Sequence, residues 1–304
     1  MYDVIIIGAG PAGMTAAVYA ARKKMRTLLI TEEFGGQPMW TLGVENYMGY
    51  QYITGPELMD KFKEQVQRYE LDQEEACVVQ VEKNGDNFIV RTDTKDIQGR
   101  TVIVATGKRS RKLQAPGEER LSGRGVSYCA TCDGPLFEGL DVAIVGGGNS
   151  GVQAAIEMST IAKQVYLVTR GPYKADEVLL EKLKKLTNVK KLSGYETTEI
   201  KGQKLVESIV LKDRQTREVK ELSVQGVFVE IGLVPNTKCV EGLVELNERK
   251  EIIVDCQCRT NVPGLLAAGD VTTVPEKQIV IAAGEGAKAT LEAYVYLLKK
   301  TETK

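Results

Sequence analysis

The chain of 304 residues contains no histidine, one tryptophan and five phenylalanines. Without histidine there is no Ser-His-Asp triad, no imidazole ligand for a metal and no imidazole proton shuttle. Proton chemistry therefore falls to carboxylates, Lys, Tyr or Cys. Net charge is lacking too: 40 Lys and Arg stand against 41 Asp and Glu. A balance of −1 supplies no global field to draw in nucleic acid. No apolar run reaches the ~18 residues of a membrane-span candidate. The start, Met1-Tyr2-Asp3, runs straight into Val4-Ile5-Ile6-Ile7, without the basic beginning and longer apolar stretch of a secretory signal. Six cysteines are too few for a disulfide scaffold. The expected setting is the reducing cytoplasm, where a close Cys pair is redox-active or metal-binding rather than structural. With 43% hydrophobic and 27% charged residues the composition is that of an ordinary globular chain. The length suggests about two domains, each able to bury a core without staples.

One pattern occurs twice. Ile5-Ile6-Ile7 leads into Gly8-Ala9-Gly10-Pro11-Ala12-Gly13 and an Ala-rich helical stretch. Later, Val142-Ala143-Ile144-Val145 leads into Gly146-Gly147-Gly148-Asn149-Ser150-Gly151 and a second helical stretch. Each copy then enters another short apolar strand, Thr27-Leu28-Leu29-Ile30 or Val165-Tyr166-Leu167-Val168. Two strand–turn–helix–strand starts predict an α/β fold with two doubly wound dinucleotide-binding domains. Between the copies, residues 55–71 have helical spacing, and residues 77–90 read as strands around Asn84-Gly85. Residues 101–107 read as a buried strand, and residues 112–120 as a linker. A last strand over residues 264–270 and a helix from about Gly286 close the chain. The second unit reads as inserted into the first, giving residues 1–114 and 242–304 to one domain and 115–241 to the other.

In such turns the first glycine makes the bend, the second lets a pyrophosphate approach, and the third lets helix and strand pack closely. Amides at the helix start then hold phosphate. About 20 residues beyond the first turn stand Glu32 and Glu33, where a carboxylate can accept from a ribose hydroxyl. The matching place after the second turn holds Thr169 and Arg170, with Lys174 nearby. Cations there either accommodate the 2′-phosphate of NADP or are simply solvated.

The string Cys129-Ala130-Thr131-Cys132-Asp133-Gly134 is the other candidate. Its Cys pair can close a small disulfide ring, and a helix start or nearby cation lowers a thiol pKa toward neutrality. Asp133 is either an acid or base beside the pair or a turn residue before Gly134. The competing reading is half a zinc site completed by Cys256 and Cys258. Redox is favoured because two dinucleotide turns provide an electron source. Cys77 and Cys239 read as buried small hydrophobes, and Cys256 and Cys258 as strand residues on one face.

Together these features resemble the low-molecular-weight thioredoxin reductase family of flavoproteins over essentially the whole chain. The resemblance is carried by residues 8–13, Gly35-Gly36-Gln37, Glu45-Asn46-Tyr47, Ala105-Thr106-Gly107, residues 129–134, residues 146–151, and Ala268-Gly269-Asp270 with Gln278. Gly148-Asn149-Ser150-Gly151-Val152, Lys174-Ala175-Asp176, Pro235-Asn236-Thr237 and residues 251–255 look closer to the flavoprotein subunit of alkyl hydroperoxide reductase. That subunit carries extra N-terminal thioredoxin-like domains, whereas this sequence starts at the flavin fingerprint. The resemblance thus implies a separate thioredoxin-fold protein as the electron acceptor, either thioredoxin or a two-domain, peroxidase-linked partner.

It further implies FAD on Gly8, Gly10, Pro11, Ala12 and Gly13, with Glu32, Gly36, Gln37, Asn46, Thr106 and Gly107 as contacts. Gly269 and Asp270 would meet the ribityl chain and Gln278 the flavin ring. NAD(P)H would lie on Gly146, Gly148, Asn149, Ser150 and Gly151, near Arg170 and Lys174. The family's His-Arg-Arg motif for the NADP phosphate is Thr169-Arg170-Gly171 here, which leaves NADH and NADPH both open. Cys132 would face the flavin, Cys129 would attack the partner disulfide, and Asp133 would exchange the proton. Domain rotation about residues 112–117 and 240–246 and a homodimer are also implied. Trp40 is expected near the flavin or in the core. The non-enzyme alternative is a zinc-stapled nucleotide-binding module.

Overall fold

Val4, Ile5, Ile6 and Ile7 are all buried, so the strand they form must be covered on both faces. The computed structural model describes residues 1–41 and 43–302, apart from the side chains of Trp40, Thr301 and Glu302. The expectation for Trp40 therefore lies outside the described residues. β1 (Tyr2–Ala9), α1 (Pro11–Arg22) and β2 (Thr27–Phe34) form the first strand–helix–strand unit. α2 (Gly55–Gln67) follows, opened by a Thr54–Glu57 capping box, and leads to β3 (Asp72–Glu75). The hairpin β4 (Val78–Asn84) and β5 (Asn87–Thr92) turns through Gly85, and β6 (Asp96–Val104) returns beside β1. The first sheet runs β3-β2-β1-β6-β5-β4, parallel through its first four strands.

After β7 (Lys108–Ser110) the chain builds a second sheet. It contains β8 (Val126–Ser127), the short helix α3 (Ala130–Asp133), β9 (Asp141–Val145), α4 (Asn149–Met158) and β10 (Gln164–Thr169). α5 (Glu177–Lys184) and β11 (Val189–Ser193) complete its outer side. An antiparallel meander, β12 (Tyr195–Lys201), β13 (Ser208–Asp213) and β14 (Val219–Ser223), then covers one face. β15 (Gly226–Val229) enters the middle, giving the parallel order β11-β10-β9-β15-β8. β16 (Leu233–Pro235) pairs antiparallel with β7. β17 (Leu265–Ala267) then joins β6 in the first sheet, and α6 (Ile279–Glu302) packs on α1. The second dinucleotide-binding unit is thus inserted into the first.

Each sheet has apolar packing on both faces. α1, α2 and α6 cover one side of the first sheet; on the other, its own Ile5, Ile7, Phe88 and Val90 pack with Val240, Val244 and Ile252 of the segment after β16. Burying one Ile, Leu or Val side chain contributes about 1.5–3 kcal/mol, so these layers dominate stability. Three expectations change here. The last helix begins at Ile279, and Gly286 lies inside it, where a Cβ would stand 2.0 Å from the Ala12 carbonyl oxygen. The last strand covers Leu265–Ala267 only. Finally, the two proposed hinges are not loose. Val240 and Val244 are buried in the core of the first unit, together with Cys239. Residues 113–114 are clamped by the buried Glu118 carboxylate, which accepts from Leu113 N (2.9 Å) and Gln114 N (2.8 Å).

Candidate active site

The two glycine turns have the same division of labour. In the first, a Cβ on Gly8 would lie 2.5 Å from the Ala105 oxygen, and one on Gly13 would lie 1.7 Å from the Gly8 oxygen. In the second, Gly146 would meet the Glu230 oxygen at 2.2 Å, and Gly151 the Gly146 oxygen at 2.4 Å. Gly10 and Gly148, by contrast, face open space. These two are the N-caps of α1 and α4, and neither helix start has a side-chain cap. Each turn therefore offers an uncrowded glycine and free helix-start amides to an anion.

Around the first turn, distant segments converge. A Cβ on Gly36 would stand 3.4 Å from the Gly10 Cα, so the two turns touch. Gln37 Nε2 donates to Asp270 Oδ2 (3.3 Å), and Asn46 Nδ2 donates to Gln278 Oε1 (3.1 Å). Burial raises the Asp270 carboxyl pKa, while Lys277 and Lys108 pull it down. The Gly269 amide donates to Glu285 Oε2 (2.7 Å), and Lys108 forms a buried ion pair with Glu251. Glu32 accepts from the Cys77 thiol and so pushes that thiol up to about 11. Thr106 is tied to Asn236, its hydroxyl donating to the Asn236 oxygen at 2.7 Å. Asn236 N in turn donates to the Gly107 oxygen (3.0 Å).

Beside the second turn lies a cavity of about 480 Å³, bounded by Arg111, Gly146, Gly147, Thr169, Arg170 and Thr197 among others. The Asn149 amide and Asp176 bond reciprocally (Nδ2 to Oδ2, 2.9 Å; Asp176 N to Oδ1, 2.8 Å). Lys174 N donates to the Gly147 oxygen (2.7 Å), so the segment after β10 is pinned onto the turn. Ser150 Oγ reaches the Glu230 oxygen at 3.4 Å.

Cys129 and Cys132 form a disulfide with Cα atoms 5.3 Å apart, half-buried at the start of α3. Cys129 caps that helix, its sulfur accepting from Cys132 N (3.2 Å). Asp133 is 3% exposed and accepts from Ser127 Oγ at 2.6 Å. The same hydroxyl accepts from Cys129 N (3.1 Å), so Ser127 joins the carboxylate to the cysteine loop. Cys256 and Cys258 depart from expectation. They lie in a turn, with Cys256 exposed and Cys258 buried against the Glu285 oxygen in the first core. The disulfide belongs instead to the second unit, beside the core containing Ala130. No group of three or more Cys, Asp or Glu side chains gathers as metal ligands among the described residues.

Two participants, Ser127 and Lys108, carried no motif. Ser127 sits on a two-residue strand without a signature around it. Lys108 and Glu251 are far apart in sequence. Glu230 had a signal: it is a charge directly after the wholly buried Gly226–Val229. Its carboxylate accepts from Ala130 N (3.4 Å), and burial pushes its pKa to about 7.

The profile of pyridine nucleotide-disulphide oxidoreductases matches residues 2–286. The chain belongs to that family. Among curated relatives it is 46% identical to the alkyl hydroperoxide reductase F subunit of Pseudomonas putida over 304 residues, which is 98% of this chain and 58% of that protein. It therefore spans little more than half the length of that relative. Among solved structures it matches thioredoxin reductase from Streptococcus pyogenes MGAS5005 with a TM-score of 0.94 and 38% identity, covering 98% of this chain and 99% of that one. Lactococcus lactis thioredoxin reductase, described as being in the FR conformation, gives 0.69 at 39% identity, with coverage of 98% and 100%. The family's cofactors are FAD and NAD(P)H, and the residues present fit them. The first turn supplies an open Gly10 near Gly36 and Gln37, the latter bonded to the half-buried Asp270, and the second an open Gly148 beside the cavity.

Proposed function

We propose that the chain carries two electrons from NAD(P)H to the disulfide of a separate thioredoxin-fold protein. The observation that carries this reading is the half-buried Cys129–Cys132 disulfide, set beside a buried carboxylate in the unit that bears the second dinucleotide turn. FAD, when bound, accepts a hydride from the nicotinamide and delivers the electron pair to sulfur. In this reading Gly8, Gly10 and Gly13 with Glu32, Gln37, Asn46, Asp270 and Gln278 hold FAD. Gly146, Gly148 and Gly151 hold NAD(P)H.

Opening the disulfide takes two electrons and one proton and leaves one thiol and one thiolate. Asp133, held by Ser127, lends and recovers that proton. Cys129 then attacks the partner disulfide, forming a mixed disulfide and releasing one partner thiolate. Cys132 attacks the Cys129 sulfur, releases the second partner thiolate and restores the pair. Anaerobic reduction with NAD(P)H should expose two new titratable thiols per chain beyond Cys77, Cys239, Cys256 and Cys258. No increase in thiols after the flavin has bleached would overturn the proposal. Cys129→Ser should abolish disulfide reduction while the flavin still bleaches.

The partner is either thioredoxin or a peroxidase-linked protein with thioredoxin-like domains. The identity to the alkyl hydroperoxide reductase F subunit favours the second. Turnover compared with both partners decides between them. Reaching flavin and partner in turn calls for rotation of one unit against the other. The fall in TM-score from 0.94 to 0.69 at nearly equal identity supports that rotation.

A further inference from the structure

The cavity beside the second turn includes a feature that the glycines do not explain. Thr197 Oγ1 lines it, buried, with no hydrogen-bond partner among the described residues. The pairing of β12 with β13 slips between Thr197 and Glu199, and such irregularities re-aim side chains. One residue earlier, Glu196 Oε1 meets Arg170 Nη2 at 3.1 Å. Arg170 stands just after β10, where a cation accommodates a ribose 2′-phosphate and an acid receives a 2′-hydroxyl. Its carbonyl oxygen accepts from Arg214 Nη1 (3.0 Å), which ties this corner to the meander.

Of the other cations around the cavity, Lys112 pairs with Glu119 at 2.5 Å, and Arg111 lines the wall; Arg170 is the one that directly follows β10. The Arg170–Glu196 pair is half-exposed, and such surface pairs contribute little to folding. Its consequence is local. A phosphate arriving at Arg170 must displace a carboxylate or lie against it, whereas a hydroxyl need not.

We propose that Glu196 is a specificity-determining residue which neutralises Arg170 and selects a dinucleotide with a free 2′-hydroxyl over one with a 2′-phosphate. This rests on the second turn being the nicotinamide-dinucleotide site. The test is calorimetric titration of the FAD-loaded protein with NAD+ and with NADP+, which bind without turnover. The unaltered protein should bind NAD+ more tightly. Glu196→Gln should shift the affinity ratio toward NADP+ by about tenfold. Adding Arg170→Gln should erase that shift, and raising the salt should shrink it. A ratio that moves by less than about twofold in Glu196→Gln, or an unaltered protein that prefers NADP+, overturns the proposal while leaving the second turn as the nucleotide site. Failure of both nucleotides to bind overturns the reading of that turn, and this inference with it.

Discussion

Glu230 directly follows an apolar strand, its half-buried carboxylate set against the amide of Ala130. Burial raises its pKa from 4.5 to about 7; the Ala130 amide opposes the shift and nearby Glu157 adds to it. The folded protein then keeps a proton that the unfolded chain gives up. Its contribution to stability is complete below pH 4.5 and lost as the pH rises through about 7. Glu230→Gln should flatten that slope, raising stability near pH 8 by about 1–3 kcal/mol with little change near pH 4. Urea melts at the two pH values check this. The Lys108–Glu251 pair behaves differently, because both partners are buried. Lys108→Met strands the Glu251 carboxylate with Asn247 as its remaining side-chain partner (2.6 Å) and should cost about 3–5 kcal/mol. Lys108→Met with Glu251→Leu should recover much of that loss, which denaturant midpoints would show.

α3 spans only Ala130–Asp133, too short to persist by itself. It is held from outside. Phe137, just beyond it, packs edge-on against Phe228 of β15 with ring centroids 5.1 Å apart. Gly226 leaves room for that ring, since a Cβ there would lie 2.6 Å from it. Phe137→Ala should therefore cost about 3–5 kcal/mol and make the cysteine loop more mobile, measured as faster amide exchange at residues 130–134. Such dependence explains what could be read in advance. The strand–turn–helix repeats announce themselves because local sterics demand glycine at fixed offsets, and the Cys129 to Gly134 string is contiguous. The ion pair of Lys108 with Glu251 and the bond from Ser127 to Asp133 were not legible, since the first joins residues 143 apart and the second hangs on a two-residue strand with no motif around it. The start of α6 was misplaced for a related reason. Gly286 looks like a helix breaker in sequence, but in the fold it lets α6 approach α1. Cys256 and Cys258 read as strand residues because their alternation is strand-like. The left-handed backbone at Cys258 (φ 64°) breaks that pattern.

At the scale of the molecule, two units with separate cores are joined where β7 pairs with β16. Rotation of one unit against the other, if the proposed function holds, must be absorbed there and at the adjoining residues 111–112 and 231–232. The flanking segments are anchored by Asn236, Lys108 and Glu118. A covalent cross-link between the units should stop turnover with a protein disulfide while the bound flavin remains chemically reducible. Unchanged turnover would remove the need for rotation.

The ribbon itself limits the motion. Leu233 sits opposite Ser110, Val234 opposite Arg109 and Pro235 opposite Lys108, so the outgoing and returning chains are bonded side by side. A paired tape twists about its long axis far more readily than it bends within its own plane. If the units rotate as proposed, this pairing gives them one preferred axis of swivel, and separating the tape would turn a guided motion into a diffusive one.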